Sequence, residues 1–209
     1  SKRCTAIEDK NGTVGLTFAD GTSAEADVVI GCDGIRSGVR AGTFGGDGPH
    51  YAGTMCWRAL SPTDALPKDF HDRHINQWSG DQGFIISYYI RQGKFINFVC
   101  VRPHAGWTEQ SWSVPSNVEE MLAAFPHVGD KMRRMLAEAT SCSKWGQFSG
   151  EHAPRWTKGR VTLLGDAAHA MLATFGQGAN MAFEDAYVLS RWLHARADDP
   201  EAALASYEA

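Results

Sequence analysis

Residues 161–164, Val-Thr-Leu-Leu, form a short apolar run that stops at Gly165-Asp166, and Gly176-Gln177-Gly178-Ala179-Asn180 then opens a stretch of helical spacing from 180 to 194. A buried strand that passes through a glycine-rich turn into a helix commits this part of the chain to an α/β layer structure, in which ligands sit at the carboxyl ends of strands. A carboxylate in that place, Asp166, suits the hydroxyls of a sugar-like chain. Glycines at 176 and 178 let a ligand approach the backbone closely. The free N–H groups of a helix start favour negative charge by roughly 0.3–1 kcal/mol, or about 2 kcal/mol when partly buried. Turn glycines are common, so a connection that holds no ligand stands as the plain alternative at this point.

The rest of the chain interleaves strands and helices. Residues 4–7 and 14–18 read as strands joined through Asn11-Gly12, a strong hairpin dipeptide. Asp20-Gly21 turns into residues 26–32, where Val28, Val29 and Ile30 predict a strand buried on both faces, ending in Cys32-Asp33-Gly34. Glycines 42, 45, 46 and 48 with Pro49 predict a loop over 41–50. Strand patterns follow at 55–60, 75–78, 84–90 and 95–101, the last two joined by Arg91-Gln92-Gly93-Lys94. Residues 117–139 change to helical spacing, with Ser116 or Asn117 as cap, Glu119 and Glu120 in the first turn, and Pro126 dividing the segment into two helices. The expectation is a mixed α/β chain, α+β in its detail. Residues 1–49 and 150–209 form one domain, and residues 50–149 form an inserted domain of sheet plus helices. Because residue 1 is Ser and residues 201–209 stop inside a helical pattern, the sequence reads as a segment of a longer protein.

Composition narrows the partners. With 209 residues and 43% hydrophobic content the chain can bury a real core, and a net charge of −4 gives no reason to expect nucleic acid or a membrane surface. No run of 18 apolar residues and no N-terminal signal pattern is present. The five scattered cysteines fit neither a disulfide framework nor a zinc site, which points to reduced thiols and a cytoplasmic protein. His71-x-x-His74 has the spacing of a metal pair but lacks further ligands, so no metal is expected.

Two motifs carry a resemblance. The stretch Gly159-Arg160-Val161-Thr162-Leu163-Leu164-Gly165-Asp166-Ala167-Ala168-His169, continued by Gly176 to Asn180 and Ala182-Phe183-Glu184-Asp185-Ala186, resembles the second FAD fingerprint of the single-component flavin-dependent aromatic hydroxylases. That family includes salicylate hydroxylase and 4-hydroxybenzoate hydroxylase. Upstream, Asp27-Val28-Val29-Ile30-Gly31-Cys32-Asp33-Gly34-Ile35-Arg36-Ser37-Gly38-Val39-Arg40 is similar to the family's Asp-Gly fingerprint, which lies near the FAD pyrophosphate and is linked to NAD(P)H use.

The resemblance implies a Rossmann-like FAD-binding domain, incomplete here, with an inserted mixed β-sheet substrate domain. By position, Asp166 holds the ribityl chain, while Gly178, Ala179 and Asn180 offer backbone to the flavin pyrimidine ring. Asp33 and Gly34 are the pair of the middle fingerprint, and Arg40 is its closing basic residue or else a surface arginine paired with a carboxylate. Arg58, in Thr54-Met55-Cys56-Trp57-Arg58-Ala59-Leu60, matches a family strand whose arginine points toward the flavin edge; it is a candidate for flavin or NAD(P)H contact, with a strand-surface ion pair as the alternative. Alternation sends Tyr88 and Tyr89 to opposite faces, and Tyr88 is the candidate for substrate contact, against a packed core tyrosine. Glu184 and Asp185 read as structural, and His169 as part of the flavin loop rather than a base.

The implied reaction reduces FAD with NADH or NADPH and passes one atom of O2 to an electron-rich ring, as in a salicylate-like acid. No catalytic residue is assigned: Phe84 stands four residues before Tyr88, where some relatives have histidine. The family's Gly-x-Gly-x-x-Gly has no counterpart, since Met181 follows Gly176 and Gly178 where a third glycine belongs, and the isolated chain is expected to bind FAD weakly or not at all. Ala173 replaces a common proline and is expected to loosen the loop that shields the flavin. The alternative reading is a flavin-binding module without catalytic activity of its own.

Overall fold

A computed structural model describes residues 2–68, 74–109, 111, 113–150, 152–174 and 176–209. The chain starts as an antiparallel meander of β1 (Cys4–Asp9), β2 (Val14–Phe18) and β3 (Ser23–Ala26). Asn11 and Gly12 take φ values of 54° and 127° in the first turn, which is why that dipeptide sits there. The chain then leaves this sheet, and β4 (Val29–Gly31) enters a second one of order β11-β12-β4, with β11 (Thr157–Lys158) and β12 (Val161–Leu163). The strand expected over 26–32 is thus β4, shortened to 29–31, while β3, just before it and in a different sheet, lies outside that expected strand apart from Ala26. β4 lies at a sheet edge and buries Val29 and Gly31, while Ile30 is 40% exposed, so the expected burial of both faces is corrected.

β4 runs parallel to β12, pairing Val29 with Val161, Ile30 with Thr162 and Gly31 with Leu163. A Cβ at Gly31 would lie 2.8 Å from Val39 and 2.9 Å from Leu163, so glycine is what lets α1 (Gly38–Thr43) pack on the pair. That helix runs through Gly42, where a loop is expected from sequence. The Ser37 hydroxyl caps it by accepting from the Arg40 N–H, and Val39 is buried, which together offset a helix glycine cost of about 1 kcal/mol. With α4 (Asp166–His169), α5 (Gly178–Ala195) and α6 (Pro200–Glu208), these elements form one compact unit, residues 1–50 and 148–209. Val14, Val29, Val39, Val161 and Leu163 centre one cluster, and Leu189, Leu204 and Tyr207 another where α5 meets α6. The Tyr207 hydroxyl donates to the Leu163 carbonyl at 3.1 Å and ties α6 to β12.

Residues 51–147 form the other unit. Its six-stranded sheet has the order β6-β7-β8-β5-β10-β9, from β5 (His50–Pro62), β6 (Asn76–Gly80), β7 (Gly83–Ile90), β8 (Phe95–Pro103), β9 (Val114–Pro115) and β10 (Ser141–Ser149). α2 (Val118–Ala124) and α3 (Asp130–Ala137) fall on either side of Pro126, and Asn117 caps α2 by accepting from the Glu120 N–H at 2.8 Å. Alternation divides the sheet. Met55, Trp57, Ala59, Ile85, Ile96, Phe98 and Cys100 form a core with Met121, Phe125, Met132, Met135 and Leu136 of the helical segment. Cys56, Phe84, Val99, Val101 and Trp145 cluster on the other face. Among the described residues no helix is long and apolar enough to cross a membrane.

Candidate functional site

The parallel pairing of β4 with β12 brings the two fingerprint turns together. Gly31 lies opposite Leu163 and its carbonyl accepts the Leu164 N–H at 3.0 Å, so Asp33-Gly34 and Gly165-Asp166 leave the sheet side by side at its carboxyl edge. Gly165 has φ 62° and ψ −138°, backbone that side chains rarely adopt, and a Cβ there would press to 3.2 Å from Ala182 of α5.

Asp166 is exposed at the start of α4, and no described residue pairs with its carboxylate. Its Oδ1 lies 3.8 Å from where a Cβ on Gly178 would stand, so this carboxylate and the start of α5 share one place. α5 has no side-chain cap and no acidic residue in its first turn; its first intrahelical bond is from the Met181 N–H to the Gln177 carbonyl at 3.0 Å. The N–H groups of Gly178, Ala179 and Asn180 therefore stand at an uncapped helix start. An acceptor carboxylate beside bare helix donors, with no Cβ on Gly178, fits FAD. A ribityl chain would offer hydroxyl donors to such a carboxylate, and a flavin pyrimidine edge, an acceptor that gains negative charge on reduction, would suit such helix-start donors.

A residue pair beneath this turn was not picked out from sequence as an anchor. Asp185 accepts the Gly165 N–H at 2.9 Å and lies 2.6 Å from His169 Nε2. A carboxylate only accepts, so Nε2 carries the proton. His169 is 1% exposed, and its ring stands 5.1 Å from that of Trp156. Asp185 shares the inward stripe of α5 with Ala182 and Leu189, and an acidic residue in such a stripe is the signal that marks a buried partner. Glu184 is exposed.

Asp33 is turned inward to its own loop. Its carboxylate accepts from the Ser37 hydroxyl, from the Gly38 N–H at 2.7 Å and from the Val39 N–H at 3.1 Å. It thus shapes the turn at Gly34 (φ 79°) and the start of α1. Arg40, in α1, has no carboxylate partner among the described residues. Ala173 is exposed in a turn, its carbonyl 3.4 Å from the Gly176 N–H.

Arg58 and Tyr88 belong to the sheet of the second unit and share its face away from the α2–α3 core. Arg58 lies opposite Val99 and Tyr88 opposite Asn97. Arg58 is exposed with its guanidinium 5.2 Å from the Trp145 ring centre, in place of the alternative ion pair. Tyr88 is half-buried, while Tyr89 packs against the helix-side core. Strand spacing sets their Cα atoms about 12 Å apart.

No cysteine is poised as a nucleophile. All five are free; burial pushes the Cys56 thiol up to about 12 and raises Cys100 as well. Exposed Cys32 is raised first by partial desolvation and then by the charges of Asp33 and Asp185. Among the described residues no group of three or more His, Cys, Asp and Glu side chains gathers for a metal; His71 of the His71-x-x-His74 pair lies outside them.

Comparison with known proteins gives concordant findings. A family model described as FAD binding domain matches residues 4–209. The chain is 40% identical over 208 residues to a 3-amino-4-hydroxybenzoate 2-monooxygenase of Streptomyces platensis, covering 100% of this chain and 52% of that one. It is 34% identical to the salicylate hydroxylase of Pseudomonas putida, covering 92% and 49%. A solved salicylate hydroxylase substrate complex superimposes with a TM-score of 0.86 at 29% identity, covering 100% of this chain and 56% of that one. The chain therefore spans about half the length of the curated relatives it matches.

Proposed function

The chain belongs to the FAD-binding-domain family, and on that premise we propose that its full-length gene product is an FAD-dependent monooxygenase that uses NADH or NADPH and O2 to hydroxylate a small aromatic acid. The observation that carries the reading is the Asp166 carboxylate set beside the uncapped start of α5. When bound, FAD supplies the redox chemistry, accepting reducing equivalents from the nicotinamide and activating O2.

The chain's residues hold and orient. Asp166 accepts from ribityl hydroxyls, and the N–H groups at Gly178, Ala179 and Asn180 stabilise charge at the pyrimidine edge. Asp33 and Gly34 serve the cofactor by fixing the neighbouring turn, with Asp33 acting through its bonds to α1. Arg58 contacts flavin or nicotinamide. Tyr88, about 12 Å away on the same sheet face, contacts the substrate ring. One relative is named for 3-amino-4-hydroxybenzoate and another for salicylate, which favours small aromatic acids of that kind here. The free cysteines favour a reducing, cytoplasmic setting. Net charge −4 argues against nucleic acid as a partner.

Oxidation of NADH or NADPH by the flavin-loaded full-length gene product, with and without hydroxybenzoates under 18O2, tests the proposal. Expected is at least a tenfold stimulation by one such acid with a single labelled oxygen in the product. Flavin binding without stimulation by any aromatic acid favours a binding module instead.

A further inference from the structure

The second unit holds a cavity of about 450 Å3 at the tip of the β6–β7 hairpin, a volume in the range of roughly 300–1,000 Å3 typical of small-ligand sites. Trp78 and Ile85 of the hairpin, Arg102 of β8, and Phe125 and Met132 of the helical segment supply its main walls. Trp78 pairs with Ile85, which belongs to the helix-side core, so these walls lie on the face opposite Arg58 and Tyr88. The space follows from the hairpin's glycines. Gly80 pairs with Gly83, and a Cβ on Gly80 would meet nothing within 4 Å, so the tip of the hairpin leaves open space on this face.

The lining is selective. Ile85, Phe125 and Met132 are 2%, 7% and 5% exposed, an apolar floor beside an indole, Trp78, left 39% open. Arg102 is anchored by a bond from Nη1 to the Ala124 carbonyl, and its remaining guanidinium donors have no carboxylate partner among the described residues. Arg133 covers the next carbonyls, Phe125 at 3.5 Å and Pro126 at 3.2 Å, so the end of α2 does not present a bare negative pole to an anion. Asp81, at the hairpin turn, is the acidic residue of the lining, against Arg102 and His127.

We propose that this cavity, on the sheet face opposite Tyr88, is a further small-molecule site that takes a planar aromatic carboxylate with its ring against Trp78 and Met132 and its carboxylate on Arg102. The test uses the full-length gene product loaded with FAD. NMR titration with sodium benzoate is expected to give saturable shifts at the Trp78 indole N–H and the Met132 methyl, with a Kd of about 1 mM for so small a ligand. Arg102→Gln is expected to weaken binding at least tenfold. Because Arg102 also holds the end of α2, Gly80→Trp, on the same strand face as Trp78 and at a lining position where a Cβ would meet nothing within 4 Å, provides a second variant that blocks the space and abolishes the shifts. Neutral benzamide is expected to bind at least fivefold more weakly than benzoate. Shifts lost in Arg58→Gln but kept in both cavity variants, equal binding of benzamide, or no saturation up to about twenty times the expected Kd each overturn the proposal.

Discussion

A carboxylate on the inward stripe of a helix is tolerated only when its acceptor sites are filled. Asp185 meets that condition twice, with the Gly165 N–H and His169, and so fixes the turn from which Asp166 projects. Removing it strands a donor on a histidine 1% exposed and a backbone N–H at Gly165, whose φ of 62° only glycine adopts readily. Asp185→Ala is therefore expected to cost about 3 kcal/mol, read from urea denaturation midpoints, whereas a loss under about 0.5 kcal/mol means that the pair does not anchor the turn. At this scale the sequence is legible where chemistry is local. Asp166 stands out because it ends an apolar run. The inward use of Asp33 is hidden, because its partners Ser37, Gly38 and Val39 become neighbours only once the chain turns at Gly34.

Elements differ in how openly their residues declare them. β7 and β8 are near-continuous apolar runs on either side of Arg91-Gln92-Gly93-Lys94 and emerge close to their expected positions. β10 escapes because Ser141-Cys142-Ser143-Lys144-Trp145-Gly146-Gln147-Phe148-Ser149 is polar on both phases of the alternation; Trp145 packs on one face, while Gly146 makes room for Trp107, whose ring would lie 2.1 Å from a Cβ. β3 escapes because Ser23-Ala24-Glu25-Ala26 is short and mostly exposed, with no apolar side chain larger than alanine to mark a strand. At the hairpin, Gly83→Ala is expected to destabilise the unit by more than about 3 kcal/mol, since φ of 129° and a backbone oxygen at 2.0 Å leave no relaxation. A midpoint shift under about 1 kcal/mol contradicts this.

Glu120 links α2 to β10 through Lys144 and accepts from the Ser116 hydroxyl at 2.8 Å. The Lys144 bond, followed by that of Ser116, holds its carboxyl below the ordinary 4.5 despite partial burial. A depressed carboxylate stabilises the fold above its unfolded pKa and loses that contribution as pH falls through the folded one. Glu120→Gln is expected to cost about 0.5 kcal/mol at neutral pH, small because the side chain is 40% exposed, and the difference from wild type is expected to shrink as pH drops below 4.5. A difference that stays constant from pH 7 to 3 excludes the ionic role.

At the scale of the molecule, residues far apart in sequence meet by one device, the parallel pairing of β4 with β12. That device is legible because each strand ends in a glycine-acid turn. The cavity at the β6–β7 tip is not, since Trp78, Arg102 and Met132 come from elements with no shared periodicity. The central claim is that Asp166 and the start of α5 hold the flavin. Titrating FAD into the full-length gene product and its Asp166→Asn form, followed by flavin fluorescence with far-UV circular dichroism as the check on folding, tests it most directly. Because Asp166 is exposed and pairs with no described residue, the variant is expected to fold unchanged and bind FAD at least tenfold more weakly. Equal affinity in a folded Asp166→Asn protein contradicts the account.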